Sequence, residues 1–244
     1  MNRWLALLFY LLIGLIPLSV RAQTEVPFTV GEQLTYSAWF NFIRGGSSSL
    51  EIIGLEKING IQTYHVRSIT ESNPFFDRLY KVRDQMDSWL DGEGYYSHKF
   101  SKSLREGQYR KKYEVEFNYQ EGKAVSASKT SKISALAHDG LSMFYYVRTL
   151  DLSLGDTIPI NFFDNDLLRP IIIKVEKIEL VETPLGEIKC FVLAPDPDTK
   201  KLFKQKNQVV IYLSADRRKI PVIISSDTRF GSLLLKLEAI NTPE

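Results

Sequence analysis

The chain has 244 residues, 25% of them charged, with 31 Lys and Arg against 29 Asp and Glu. Its first 22 residues read as a secretory leader, which carries Arg3 and Arg21 and no acid. The remainder then balances 29 basic against 29 acidic residues, which argues against a nucleic-acid partner, because neutralising phosphates takes a basic excess.

Within the leader, Arg3 supplies the positive start and Trp4 to Leu18 the apolar run, and Val20 and Ala22 occupy the cleavage-site positions. The cut is expected between Ala22 and Gln23, giving an exported or periplasmic protein with one domain over residues 23–244. The apolar run is short for a spanning helix and no later segment is longer, so no membrane span is expected after cleavage. Cys190 is the only cysteine, so no internal disulfide forms. It lies in the strand-like run Ile188 to Leu193 and reads as a buried, inert thiol. A monomer without cofactor or metal is expected.

From Gly31 the pattern has period two. Leu34, Tyr36, Ala38, Phe40 and Phe42 face one way, and Thr35, Ser37, Trp39 and Asn41 the other. Ser47 to Ile58 returns as a second strand. Asn59-Gly60 is a strong hairpin signal, because both residue types accept positive φ, and Ile61 to Thr70 follows. Asn73-Pro74-Phe75-Phe76-Asp77 interrupts the alternation with a turn in which Pro starts a short helical segment. Phe75, Phe76, Leu79 and Tyr80 form a dense apolar group, covering one end of the sheet or forming a mobile lip over a cavity. Strands are then expected at Arg83 to Leu90, Tyr95 to Leu104, Gln108 to Gln120 and Lys123 to Thr130. In the clearest of them Tyr109, Tyr113, Val115, Phe117 and Tyr119 share one face and Arg110, Lys112, Glu114 and Glu116 the other.

His138 to Leu150 holds the one convincing long helix. Asp139 is the expected N-cap. Leu141, Phe144, Tyr145 and Arg148 fall at i, i+3, i+4 and i+7, and Met143, Tyr146, Val147 and Leu150 form a second stripe. A helix apolar on most of its surface should be buried, here over about three turns. Arg148 in its last turn is placed to bond free carbonyls or a buried acid. After it come strands at Thr157 to Phe163, Leu168 to Val181, Glu187 to Ala194, Gln208 to Leu213, Lys219 to Ser226 and Gly231 to Ile240. Lys200 to Lys206 reads as a basic link. Asp216 in Asp216-Arg217-Arg218 is expected to satisfy backbone donors in a turn. About a dozen strands and one main helix make a mainly β protein. The expected architecture is a curved antiparallel sheet, or incomplete barrel, with the helix in its concavity. Two β-lobes joined near Leu150 to Asp156 are the alternative.

Four stretches together resemble the DUF3108 family of exported bacterial proteins of unknown function. Gly31-Glu32-Gln33-Leu34-Thr35-Tyr36, with Gly45-Gly46, is similar to its opening strand pair. Asp139-Gly140-Leu141-Ser142, with Tyr145 and Arg148, is similar to its "D-x-LS-x-x-YxxR" helix. Ile211-Tyr212-Leu213-Ser214-Ala215-Asp216, with Arg218-Lys219-Ile220-Pro221-Val222, resembles its strand–turn–strand, with Tyr212 where Trp is common. Phe230-Gly231-Ser232 and the run Leu233 to Glu238 resemble its closing strand. The family carries no assigned activity, so the resemblance implies a fold and an exported address.

The chemistry-bearing residues are sparse. His65, His98 and His138 have no metal-like spacing, and no nucleophile elbow, zinc helix or phosphate loop is present. No catalytic residue is assigned, and a non-enzymatic protein is expected. The leading function is binding of an apolar or amphipathic, lipid-like ligand in a β-cavity lined by Tyr113, Phe117, Phe144 and Tyr145, with Arg148 at a head group. The second is a structural or interaction module with a filled core, holding an envelope protein through a strand edge or the Phe75–Phe76 loop. An exported hydrolase with a triad around one histidine ranks last.

Overall fold

The computed structural model describes residues 26–196, 209–228 and 231–243. The leader and the Lys200 to Lys206 link lie outside the described residues. A first meander runs through β1 (Gln33–Phe40), β2 (Ile43–Ile58) and β3 (Ile61–Ser72) to the short helix α1 (Pro74–Asp77). It continues as β4 (Arg83–Asp91), β5 (Ser97–Glu106), β6 (Tyr109–Asn118), β7 (Lys123–Ser126) and β8 (Thr130–Lys132). After helix α2 (Ser142–Thr149), a second meander runs through β9 (Thr157–Asp164), β10 (Leu167–Thr183) and β11 (Gly186–Pro195). It ends with β12 (Val209–Ser214), β13 (Pro221–Thr228) and β14 (Gly231–Asn241).

All fourteen strands form one antiparallel sheet, not two lobes. Its order is β8-β7-β6-β5-β4-β3-β2-β1-β14-β13-β12-β11-β10-β9, so each meander keeps sequence order and β1 against β14 joins them at the centre. The β2–β3 hairpin turns at Asn59 and Gly60, both at positive φ (50° and 84°), as that dipeptide dictates. Bulges at Thr35/Tyr36, Ile52/Gly54 and Val175/Lys177 bend the strands.

The sheet curls until its outer edges, β8 and β9, approach without pairing. Side chains cross the seam instead. The Ser131 hydroxyl donates to the Asp166 carbonyl at 2.7 Å, and Lys102 meets Asp164 at 2.9 Å. The segment before α2 fills the gap. His138 N–H donates to Asn161 and Phe163 N–H to His138, both at 2.8 Å, while Ser97 N–H donates to Ala137 at 2.9 Å. The result is an incomplete barrel closed by a strap.

Helix α2 sits inside, and the core explains why. Its Leu141 and Tyr145 pack with Leu34, Tyr36, Leu50 and Ile52 of the first meander and with Cys190, Val222 and Leu237 of the second. Its Val147 joins Ile158, Ile160, Ile171 and Ile173. Phe100, Val115, Phe117 and Phe163 form a third cluster at the seam. A helix apolar on two stripes is thus covered on both sides. It is shorter than expected, eight residues instead of about three turns, because Asp139 to Leu141 form a turn before the first helical residue. The odd-numbered face of β6 points inward as predicted at Val115 and Phe117. The β1 pattern fails at its end: Phe40 is partly exposed and Phe42, already in the turn, is 94% exposed.

Candidate functional site

The most heavily bonded side chain of the interior is Arg148. It is completely buried, and its guanidinium meets Glu32 through both terminal nitrogens, at 2.7 and 2.9 Å. Its Nε donates to the Arg218 carbonyl at 3.1 Å and Nη2 to the Pro27 carbonyl at 3.2 Å. The rings of Phe28 and Tyr145 stack on it with centroids 5.2 and 5.3 Å away. Burial opposes its charge, and the Glu32 carboxylate more than restores it, so Arg148 stays ionised. Close by, the buried Tyr36 hydroxyl donates to the Pro221 carbonyl at 2.9 Å.

The helix entrance is the second buried polar centre. Asp139 Oδ1 accepts from Leu141 N–H (2.7 Å) and Ser142 N–H (3.0 Å), which is the capping role read from the sequence, performed one turn ahead of the helix. Oδ2 accepts from the hydroxyls of Ser88 (2.5 Å) and Ser97 (2.6 Å). Burial pushes this carboxyl up although all four donors pull it down.

Of the five residues expected to line a ligand cavity, Tyr145 and Arg148 meet, and the other three lie in other clusters. Tyr113 sits at the seam, donating its hydroxyl to Asp166 at 2.8 Å, and Phe117 packs edge-on against Phe163 at 5.1 Å across the same seam. Phe144 packs against the Val147 cluster, while Tyr145 belongs to the central one. Arg148 faces Glu32. An open cleft of about 510 Å³ lies beside the end of α2, lined by Tyr146, Leu150, Asp156, Ile158 and Pro159 among others, and none of the five lines it.

The outer face of the sheet carries a cluster that sequence reading missed. His65 donates or accepts at both ring nitrogens, with Glu56 Oε1 and Asp87 Oδ1 each 2.8 Å away. Arg67 and Gln85 also bond Asp87, at 2.7 and 2.6 Å, and Trp89 stacks on the imidazole at 4.5 Å while donating to Glu56. The residues come from β2, β3 and β4, so the signal was cross-strand register, which spacing along one strand does not contain. With both nitrogens engaged and 5% exposure, the ring offers no free nitrogen to a substrate. Burial pulls the His65 imidazole down, but the bonds and charges of Asp87 and Glu56 outweigh it, and its pKa stands above the ordinary 6.5. Burial raises Asp87, yet its bonds to His65, Gln85 and Arg67 hold it down at about 2.

These shifts set a pH window. The His65 contribution is complete below the unfolded value of about 6.5 and is lost as pH rises through the higher folded value. The Asp87 contribution is present above about 3.9 and lost as pH falls through its depressed one. The stability advantage of the wild type over His65→Gln, measured by urea unfolding, is therefore expected to be larger at pH 5.5 than at pH 8.5. An advantage that grows with pH would refute the paired imidazolium.

The other histidines differ. His98 Nε2 meets Asp91 at 2.9 Å. Burial drives the His138 imidazole down to about 4, and its Nδ1 has no hydrogen-bond partner among the described residues. Among those residues no serine or cysteine side chain bonds a histidine, and no group of three or more His, Cys, Asp or Glu is placed to hold a metal.

One end of the sheet is apolar outside. At the β1–β2 turn Phe42 and Ile43 project, and Phe75, Leu79 and Tyr80 project from α1 and the turn after it. Asn73 locks the two together: its N–H donates to the Gly45 carbonyl at 2.8 Å and its Nδ2 to the Arg44 carbonyl at 3.1 Å. The Tyr80 ring lies over Gly107 of the β5–β6 turn so closely that a Cβ there would stand 2.6 Å from it. This apolar end of the sheet, a lip held together by three turns, matches the first of the two expected placements.

Comparison with known proteins places this architecture. The model of a protein family of unknown function, DUF3108, matches residues 33–238. The chain belongs to the DUF3108 family. No curated protein matches it. Among solved structures, the chain is similar to a β-barrel-like protein of the domain of unknown function DUF1849 from Brucella abortus. The identity is 13% and the TM-score 0.55, over 89% of this chain and 99% of that one. A candidate lipoprotein from Parabacteroides distasonis follows at 10% identity and TM-score 0.39, over 88% and 98% of the two chains. A candidate exported protein from Bacteroides fragilis shares 11% identity at TM-score 0.39, over 88% and 98%. The Brucella likeness shows the fold alone. In this DUF3108 chain the stretches that carry the family resemblance meet in one place: Glu32 with Arg148, Arg148 with the Arg218 carbonyl, and Tyr36 with the Pro221 carbonyl. They specify how the helix is seated in the sheet.

Proposed function

We propose that this DUF3108 protein is a non-enzymatic, exported component of the bacterial envelope that works as an interaction module with a filled interior. The observation that carries the reading is the pairing of a concavity occupied by helix α2 with an apolar exterior lip. Arg148, the residue best placed to meet a ligand's head group inside, is fully buried and bonded to Glu32, while Phe42, Phe75 and Leu79 project at one end. The leader Met1 to Ala22 supports export.

The test is a photo-reactive residue in place of Phe42. A dominant cross-linked product is expected in the exporting cell, with none from the same group in place of exposed Leu180, far from the lip. No product at Phe42, with protein or with lipid, would sink the reading. Carriage of a lipid-like ligand is the second reading, and the cleft of about 510 Å³ beside α2 is the observation in its favour. Native mass spectrometry of the gently purified protein separates the two. A bare chain mass supports the filled module, and a solvent-extractable lipid supports carriage.

A further inference from the structure

We infer that the apolar lip docks on an anionic phospholipid surface. The inference rests on the interaction reading above and names the partner class for the same end of the molecule. The first ground is shape. The exposed side chains project from two turns, braced by a third at Gly107: Phe42 is 94% exposed, Leu79 73% and Phe75 66%, with Tyr80 half-exposed beside them. Projecting tips of this kind enter the boundary between head groups and acyl chains, with tyrosine at head-group level.

The second ground is charge. Arg78 and Lys81 flank Leu79 and Tyr80 on the exposed side, and Arg105 stands on the neighbouring β5–β6 hairpin, all three exposed. The acids of this end are engaged by cations: Asp77 is clamped by Arg83 (2.6 Å) and stands 4.0 Å from Lys81, exposed Glu71 meets the same arginine (3.6 Å) and Glu238 holds Arg44 (2.8 Å). Asp84 accepts the Arg105 backbone N–H at 2.8 Å, and Glu106 is half-buried beside it. Outward cations around apolar tips complement a surface of phosphates.

The third ground is rigidity. The tips are positioned by the Asn73 bonds to Arg44 and Gly45, by the Asn73 cap on Phe75 and Phe76 N–H (3.1 and 3.0 Å), and by Tyr80 packed on Gly107. Little ordering is then left to be lost on binding.

The experiment is flotation of the full chain, recovered from an exporting host, with vesicles of phosphatidylcholine alone or mixed with phosphatidylglycerol. Wild-type protein is expected on the mixed vesicles, with binding that weakens as salt rises. Phe42→Ser/Leu79→Ser is expected to bind at least about tenfold more weakly with an unchanged melting curve, because both side chains are solvent-exposed. Arg78→Gln/Lys81→Gln should remove the preference for phosphatidylglycerol. Failure of wild-type protein to float, or equal flotation of Phe42→Ser/Leu79→Ser, overturns the lipid assignment. If flotation fails while the Phe42 photo-probe traps a protein, the lip is a protein contact and the interaction reading stands. If both fail, both readings fall.

Discussion

Replacing Arg148 with methionine is expected to destabilise the protein by about 3–5 kcal/mol, read as a lower denaturation midpoint in guanidinium chloride. Among the described residues the guanidinium is the only partner of the Glu32 carboxylate, which is itself buried. Removing it strands a charge in the core and leaves the Pro27 and Arg218 carbonyls without their donor. The loss is expected to shrink when Glu32→Leu is combined with Arg148→Met, because no unpaired charge then remains. Equal losses in the single and double variants would show that packing of the arginine stem, and not the ion pair, is what matters. The same comparison bears on function. An arginine reserved for a ligand's head group would leave folding stability nearly untouched when replaced.

Asp139→Ala is the second large effect, expected at about 3–4 kcal/mol. Two backbone donors, Leu141 N–H and Ser142 N–H, lose their acceptor inside the protein, at about 1–3 kcal/mol each. The Ser88 and Ser97 hydroxyls lose theirs too, but Ser97 still has Ser142 Oγ at 2.8 Å and rotates toward it. Asp139→Asn keeps Oδ1 for the two backbone donors and turns its amide toward serine oxygens that accept, so its cost should stay near 1 kcal/mol. Thermal and urea unfolding of the two variants checks the order. If asparagine is as damaging as alanine, the negative charge at the helix entrance contributes more than the hydrogen bonds.

Local chemistry made most of the fold legible. Asn59-Gly60, the alternation along β6 and the capping Asp139 each act within a few residues; the first two fall where the sequence places them, and Asp139 caps the turn that leads into the helix. The curved sheet with an internal helix followed from one apolar helix among many half-apolar strands. What escaped was non-local. Nothing near Arg148 in sequence names Glu32, which lies 116 positions away. His65 reads as an isolated strand histidine until β2, β3 and β4 are in register and put Glu56 and Asp87 on its two nitrogens. The expected ligand set is distributed over several clusters for a related reason. Tyr113, Phe117, Phe144, Tyr145 and Arg148 share inward faces, but one face of a curled sheet serves three clusters and a seam. Phe42 was assigned to the buried face by extending a period of two beyond the last paired residue, where a turn carries the side chain outward.

The pairing of β1 with β14 has a consequence for how the chain acquires its structure. Ser37 bonds the carbonyl of Lys236, 199 positions later, in the middle of the sheet. Every other strand pair links neighbours in sequence, so the two meanders are local ribbons that can zip up early, whereas the central seam closes only when nearly the whole polypeptide is present. Contacts of such long range slow folding, because the entropy of loop closure is lost before the contacts reward it. A chain made amino terminus first therefore holds β1 as a bare edge until β14 arrives. In that interval α2, and the arginine on it, have half a wall to rest against.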